Sequence, residues 1–212
     1  MNVFDNAYYQ RPLLFGTNPT EELLYVIDKY NISGHALELG CGDGRDTKHV
    51  LDRGLTICAV EQSKFALETL ANRNDITYEK KQNLQLIQSD VLNFSFEKSE
   101  YDFVYAITLF DHLLEHDCYN LIRNVVSSIK TGGYFFLKVH TIDDVGNTKS
   151  AEEISEFASE IKHFFKCNEL LTNLLPLGRI VYYSESQEAD FDHGPFHMHA
   201  FASLLLKKES IL

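Results

Sequence analysis

Short apolar runs recur along the chain and alternate with stretches of helical periodicity. His35-Ala36-Leu37-Glu38-Leu39, Leu55-Thr56-Ile57-Cys58-Ala59-Val60 and further runs at 84–88, 101–107 and 134–140 are rich in Leu, Ile, Val and Phe. Runs of this length and composition predict buried strands. The segments between them, near 46–53, 64–74 and 116–130, predict helices. A first helix is expected at Asn18-Pro19-Thr20-Glu21, with Asn18 as cap, Pro19 in the first position and Glu21 completing a capping box, running to about Tyr30. Strand and helix in alternation give the rhythm of a doubly wound, mostly parallel α/β sheet. Helices near 151–160 and 168–174 follow, then strands near 178–184 and 197–207. Two late strands without a helix between them predict an antiparallel C-terminal hairpin on the sheet edge, for seven strands in all. Residues 75–82 form a polar insert, expected as a surface excursion. The whole chain, 1–212, is expected to be one domain: a lid and helix over 1–31, a core over 32–140, and further elements with the hairpin over 141–212.

Three stations along this pattern carry candidate chemistry. The first strand runs into Gly40-Cys41-Gly42-Asp43-Gly44, and alternate glycines let a backbone turn sharply and approach a ligand with no Cβ in the way. Glu38, one step before the turn, and Asp43 within it offer carboxylates to a cationic ligand. The G-x-G-x-G spacing departs from the G-x-G-x-x-G of dinucleotide-binding enzymes. The second strand ends at Glu61-Gln62, about 20 residues on, where a carboxylate can accept two hydrogen bonds from a ribose diol; capping of the next helix is the other use of such a residue. The third strand ends near Asp90-Val91, positioned to read an adenine amino group and lie against its ring, or else to make an ordinary turn.

Together these stations resemble a family. E-L-G-C-G-D-G-R, then A-V-E, then S-D-V, then Tyr101-Asp102-Phe103-Val104-Tyr105-Ala106, then Lys130-Thr131-Gly132-Gly133-Tyr134-Phe135-Phe136-Leu137 is similar to the motif series of class I, Rossmann-like S-adenosylmethionine-dependent methyltransferases. The resemblance covers roughly 32–140 and implies S-adenosyl-L-methionine as cofactor. The implied cofactor-binding set is Glu38, Gly40, Cys41, Gly42, Gly44, Glu61, Gln62, Asp90, Val91 and Ile107. A shorter resemblance, through Tyr9, Phe15-Gly16-Thr17, Pro19, His163-Phe164-Phe165 and His197-x-His199, is to tellurite-resistance and thiopurine methyltransferase-like proteins. It implies a small, soft acceptor such as a thiol or chalcogen oxyanion.

Composition narrows the picture. With 212 residues and 44% hydrophobic content the chain can bury one sizeable core. A net charge of −12 and the lack of a Lys/Arg cluster argue against a nucleic-acid partner. The Asp/Asn-Pro-Pro-Tyr signature of base-amino methyltransferases is absent: Ala106-Ile107-Thr108-Leu109-Phe110-Asp111 stands in its place. No apolar run reaches about 18 residues, so no membrane span is expected. The opening Met1-Asn2-Val3-Phe4-Asp5 lacks a secretory pattern, and Cys41, Cys58, Cys118 and Cys167 show no disulfide or metal spacing. The expected location is cytoplasmic, and the expected partner a small molecule.

Methyl transfer by direct displacement needs alignment and, for a thiol or amine acceptor, a base. His112, after the fourth strand, and His140, ending the fifth, are the candidates, each with a plain capping role as the alternative. Tyr8, Tyr9 and Phe15 cluster before the first helix and are expected to form an aromatic lid suited to a sulfonium, with Arg11 facing a carboxylate. In Asp190-Phe191-Asp192-His193-Gly194-Pro195-Phe196-His197-Met198-His199, the last two histidines share a strand face. Phe15, His197 and His199 are the expected acceptor-site residues; a bare turn, or a metal held by these histidines and an Asp, are the other readings of that segment. No metal is assigned by spacing alone. Two further function classes compete: a nucleotide-dependent oxidoreductase, against which the glycine spacing counts, and a non-catalytic methyltransferase-like binding module.

Overall fold

A computed structural model describes residues 3–148, 157–190 and 196–210. Seven strands form one sheet: β1 (His35–Leu39), β2 (Thr56–Glu61), β3 (Leu84–Gln88), β4 (Tyr101–Ile107), β5 (Ile129–His140), β6 (Arg179–Asp190) and β7 (His197–Lys207), in the order β3-β2-β1-β4-β5-β7-β6. The chain winds outward from β1 to β3, then returns to lay β4 on the other side of β1. That reversal opens a crevice at the carboxyl ends of β1 and β4, the place where open α/β sheets bind ligands. β7 is wedged between β5 and β6 and runs antiparallel to both. The expected hairpin is therefore present, with its second strand inside the sheet and its first on the edge.

Helices cover both faces. On one, α6 (Glu115–Ser128) buries Cys118, Leu121, Ile122 and Val125 against Leu37, Leu39, Val104, Phe135 and Leu137. On the other, α2 (Glu21–Lys29) buries Leu23, Val26 and Ile27 beside α3 (Arg45–Leu51), against Ala36, Ile57, Phe103 and Phe136. These are the i, i+3, i+4 stripes of amphipathic helices, and successive strand residues feed alternate faces. Each buried Leu, Ile or Phe contributes about 1.5–3 kcal/mol. One buried polar node interrupts the apolar packing. Lys138, 4% exposed, reaches Glu22 at 2.9 Å and Glu188 at 2.5 Å, while Ser203 and Tyr182 donate to Glu22 at 2.8 and 3.2 Å. It locks α2 onto β5, β7 and β6 in one register.

Several local expectations shift. The first long helix begins at Glu21 behind Thr20, not behind Asn18. Thr20 directs both its N–H, at 2.6 Å, and its hydroxyl, at 3.2 Å, to the buried Asp46, so a tertiary partner replaces the local cap. An added helix, α1 (Val3–Gln10), precedes it, and α4 (Lys64–Asn72) follows β2. The polar insert contains a single helical turn, α5 (Tyr78–Lys81), capped by Thr77. α7 (Glu169–Leu174) matches the expected helix near 168–174, whereas only a short turn, Ala158–Glu160, stands in the described part of 151–160. Residues 149–156 and 191–195, His193 included, lie outside the described residues.

The turn between β1 and α3 is the tightest constraint in the fold. Gly44 sits at φ +86°, and a Cβ there would collide with Leu70 Cδ1 on α4. Gly44→Ala is expected to cost about 2–4 kcal/mol from left-handed strain and overpacking. Denaturant unfolding measures this directly, and an unchanged free energy would refute the claim.

Candidate active site

The crevice at the end of β1 is built from the backbone upward. Gly40, Gly42 and Gly44 all adopt positive φ, at +70°, +54° and +86°. The N–H groups of Gly40 and Cys41 both bond the Val60 carbonyl, at 2.8 and 3.2 Å, folding the turn back over β2. Below it lies Glu61. Its carboxylate accepts the Gly42 N–H at 3.1 Å through Oε2 and the Ser63 N–H at 2.8 Å through Oε1. Each oxygen keeps a further lone pair for a ligand hydroxyl.

A cavity of about 160 Å³ opens here, lined by Glu38, Gly40, Cys41, Gly42, Asp43, Arg45, Asp46, Glu61, Gln62, Ile107, Phe15 and His112, with Tyr8, Phe4, Leu39, Thr108 and Leu109. Its walls are acidic and desolvated. Glu38 is 4% exposed and accepts the Thr47 hydroxyl at 2.6 Å; burial pushes its carboxyl up to about 8 against that bond. Burial likewise raises Glu61, opposed by the Ser63 and Gly42 N–H groups, and raises Asp43, opposed by the Leu14 N–H that donates to it at 2.8 Å. Arg45 is committed to Asp46 at 2.9 Å. Arg73 is committed to Asp75 at 2.6 Å and to the Gly44 carbonyl at 2.8 Å. The remaining carboxylates make the cavity a site for positive charge.

α1 roofs it. Tyr8 stands over the glycine turn so closely that a Cβ on Gly42 would come within 2.5 Å of its hydroxyl oxygen. The Ser63 hydroxyl donates to Asp5 at 2.7 Å, anchoring α1 to the start of α4. Phe4 stacks on Phe157 with centroids 5.1 Å apart and meets His112 edge-on at 4.8 Å, while Phe15 packs on Phe157 at 5.5 Å. His112 itself lies in the short turn Phe110–His112 after β4. Its Nδ1 is 3.0 Å from the Glu160 carbonyl oxygen. A carbonyl only accepts, so Nδ1 carries the hydrogen and Nε2 carries the lone pair. Burial, the largest influence, lowers its pKa, with Asp111 opposing.

The other expected histidines gather elsewhere. His140 is bound through Nδ1 to Asp111 at 2.7 Å, His199 through Nδ1 to Asp144 at 2.9 Å, and His197 Nε2 lies 3.0 Å from His199 Nε2. All three are buried, at the end of β5 and the start of β7, and none lines the cavity. Asp111 bonds His140 and acts on His112 as well, holding its pKa up, while His140 lowers it.

Five expected cofactor contacts fall away from the cavity. Tyr9 is 63% exposed and packs on Phe65, because the helical turn of α1 that puts Tyr8 inward turns its neighbour out. Arg11 is exposed and off the cavity, where Arg45 stands instead. Asp90 is exposed and accepts the Leu92 N–H at 2.9 Å, the ordinary turn role, and Val91 is buried in the core. Gly44 shapes the turn without lining the cavity. Asp43 and Tyr8, expected at the ligand, do line the wall, and the structure adds Arg45, Asp46, Phe4, Leu39, Thr108 and Leu109. Asp43 and Arg45 were visible inside the glycine turn. Thr108, at φ +46°, follows β4 with no sequence signal of its own.

Residues 36–133 match the family model described as a methyltransferase domain. No curated protein matches the sequence. Among solved structures, TehB from Haemophilus influenzae aligns with a TM-score of 0.72 at 19% identity, over 90% of this chain and 62% of TehB. The structure described for conversion of a disulfide bond into a thioacetal group during echinomycin biosynthesis aligns at 0.74 and 16% identity, over 98% of this chain and 91% of that one. Haemonchus contortus phosphoethanolamine N-methyltransferase 2, in complex with S-adenosyl-L-methionine, aligns at 0.70 and 14% identity, over 97% and 57%. The chain thus spans less than two thirds of TehB and of the Haemonchus contortus protein, and the likeness is one of fold.

The buried carboxyl of Glu38 gives a stability test. A carboxyl whose pKa is raised on folding favours the fold at acid pH and loses that contribution as pH rises through about 8. Glu38→Gln should therefore stabilise the ligand-free protein at high pH by on the order of 1–3 kcal/mol, with the gain vanishing near about pH 4. Urea unfolding at both extremes checks this; a variant less stable than wild type at high pH contradicts it.

Proposed function

We propose that the chain is a class I S-adenosylmethionine-dependent methyltransferase that transfers a methyl group from S-adenosyl-L-methionine to a small-molecule acceptor, a reading supported by the methyltransferase-domain match over residues 36–133 and by the fold. The observation that carries this reading is the pairing, in one cavity, of desolvated carboxyl groups at the ends of β1 and β2 with an imidazole after β4 whose pKa burial lowers. The cavity fits the cofactor on its own chemistry. Gly40 and Gly42 leave room that a Cβ would fill, at 3.0 Å from Leu109 and 2.5 Å from the Tyr8 hydroxyl. When bound, the cofactor supplies a methyl group activated by a sulfonium.

Each wall then has a task. Glu61 offers paired acceptors to a vicinal diol, held in aim by the Gly42 and Ser63 N–H groups. Glu38 and Asp43 attract the cationic end of the ligand, whose charge relieves the cost of ionised carboxylates in a dry site. Tyr8, Phe4 and Phe15 present aromatic faces that favour a sulfonium. His112 Nε2 would accept the proton of a thiol, amine or hydroxyl acceptor as that acceptor takes the methyl group the cofactor would supply. Alignment supplies most of the rate, up to ~7–11 kcal/mol, so no nucleophile of the chain is required.

At about 160 Å³ the cavity is smaller than the ~300–1,000 Å³ typical of ligand sites, and α1, its roof, is the element proposed to make way for the cofactor. Closure by aromatic side chains and the formal charge of −12 support a small acceptor over a nucleic acid. Among the described residues no helix is long and apolar enough to cross a membrane.

Two outcomes test the reading. Glu61→Ala should remain folded and bind S-adenosylmethionine about 1–3 kcal/mol more weakly, the scale of lost charge-assisted hydrogen bonds; calorimetry with unchanged affinity rejects the ribose assignment. His112→Gln should lower turnover about 10²–10⁴-fold while the cofactor still binds. Because burial lowers the His112 pKa, wild-type activity should persist to somewhat below the ordinary imidazole value of about 6.5 and then fall as the ring protonates. The variant should lack that acid limb, and a variant profile identical to wild type removes His112 from the mechanism.

A further inference from the structure

The histidines that leave the cavity form a second constellation, independent of the methyl-transfer reading. We propose that His140, Asp144 and His199 bind one divalent transition-metal ion, zinc by the chemistry of the set. The three residues come from the end of β5, the turn after it and the start of β7. Each offers a ligand atom within 4.8 Å of those of the other two, and all are buried.

The site is built rather than incidental. Asp111, itself fully buried, takes the His140 Nδ1 at 2.7 Å and the His140 N–H at 3.0 Å, which fixes the ring and presents Nε2 as its ligand atom. Carboxylate behind imidazole is the arrangement that orients histidine ligands and raises their basicity. Asp144 is pinned by the Gly146 N–H at 2.7 Å on one oxygen and the Ala200 N–H at 2.7 Å on the other. Donor atoms ~2.0–2.1 Å from one ion lie roughly 3.0–3.4 Å from each other by simple geometry. The separation of Asp144 Oδ2 from His199 Nδ1, 2.9 Å, is already close to that spacing. Coordination thus asks for a small adjustment of rings that the fold has placed together. Imidazole nitrogen with one carboxylate suits zinc and its first-row neighbours, and not magnesium or calcium, which prefer oxygen.

An ion here would tie the turn at 141–148 to two strands of the sheet, next to the His140 ring that Asp111 holds. It would thereby fix the segment that carries Asp111 and, through it, the position of the proposed base.

The test uses the full chain produced without a histidine tag, stripped with chelator and titrated separately with zinc and with cobalt. The expected result is one ion per chain by elemental analysis, visible ligand-field absorption of the cobalt form, and a higher melting temperature with either ion. His140→Gln and His199→Gln should each abolish stoichiometric binding. Asp111→Asn, which touches only the orienting carboxylate, should weaken it about 10–100-fold. His116→Gln, altering a side chain that is 71% exposed, should bind as wild type does. Calorimetry with S-adenosylmethionine on the same samples reports whether each variant is folded, and separates failure of this site from failure of the methyltransferase reading. Absence of zinc and cobalt binding in folded wild-type protein overturns the proposal, as does equal affinity in folded His140→Gln and His199→Gln. An ion lost only in His116→Gln would be a surface ion and overturns it too.

Discussion

Everything in the crevice depends on one carboxylate accepting two backbone N–H groups. Glu61 holds Gly42 from beneath and Ser63 from behind, so the glycine turn after β1 and the start of α4 share a single anchor. Three consecutive alternate residues in left-handed backbone are otherwise costly in freedom lost on folding. Burying a carboxylate is costly too, unless its hydrogen bonds are made. Each expense is offset by the other: the turn supplies the N–H that Glu61 needs, and Glu61 fixes the turn that only glycine can make. A ligand hydroxyl entering this pair meets acceptors whose aim is set before it arrives.

Around that anchor the cavity is held in a state that favours being filled. Glu38, Asp43 and Glu61 are all raised by burial, and the two arginines nearest the turn are occupied with Asp46 and Asp75. The wall therefore carries potential negative charge that the fold does not neutralise internally. A bound cation converts this liability into binding, which is the physical sense in which a functional site conflicts with stability. Arg45 and Arg73 serve the scaffold: they tie the turn to α2 through Thr20 and Asp46 and to the segment after α4.

Most of the architecture was legible in the chain because strand and helix periods were clean. Residues 84–88 and 101–107 were read with the same bounds that β3 and β4 adopt, and the apolar faces of α6 followed the i, i+3, i+4 rule. The misses have one cause. A local pattern cannot show a partner distant in sequence. Asn18-Pro19-Thr20-Glu21 has good capping chemistry, but Asp46, 26 residues beyond Thr20, claims it and moves the helix start. The hairpin was expected on the sheet edge with no order for its two strands, and the contact that accompanies β7 inside the sheet, Ser203 on Glu22, spans 181 residues. The site divides the same way. The turn glycines, Glu38, Glu61 and Ile107 were readable because they follow strand ends. Tyr8 against Tyr9 was not, because both are aromatic and only the phase of α1 decides which faces the turn. Arg11 and Asp90 were chosen for chemistry their positions do not express.

The placement of His112 shows how the fold joins the two halves of the proposed reaction. Its ring touches Phe4 of the roof, its Nδ1 holds the Glu160 carbonyl beyond β5, and its neighbour Asp111 holds His140 at the end of that strand. α1 is in turn fixed by Tyr8 over Gly42 and by Asp5 on Ser63. The glycine turn and the imidazole proposed as base are therefore linked through one helix, because α1 packs on the first through Tyr8 and on the second through Phe4. The burial that lowers the His112 pKa and the roofing of the carboxylates thus rest on the same packing.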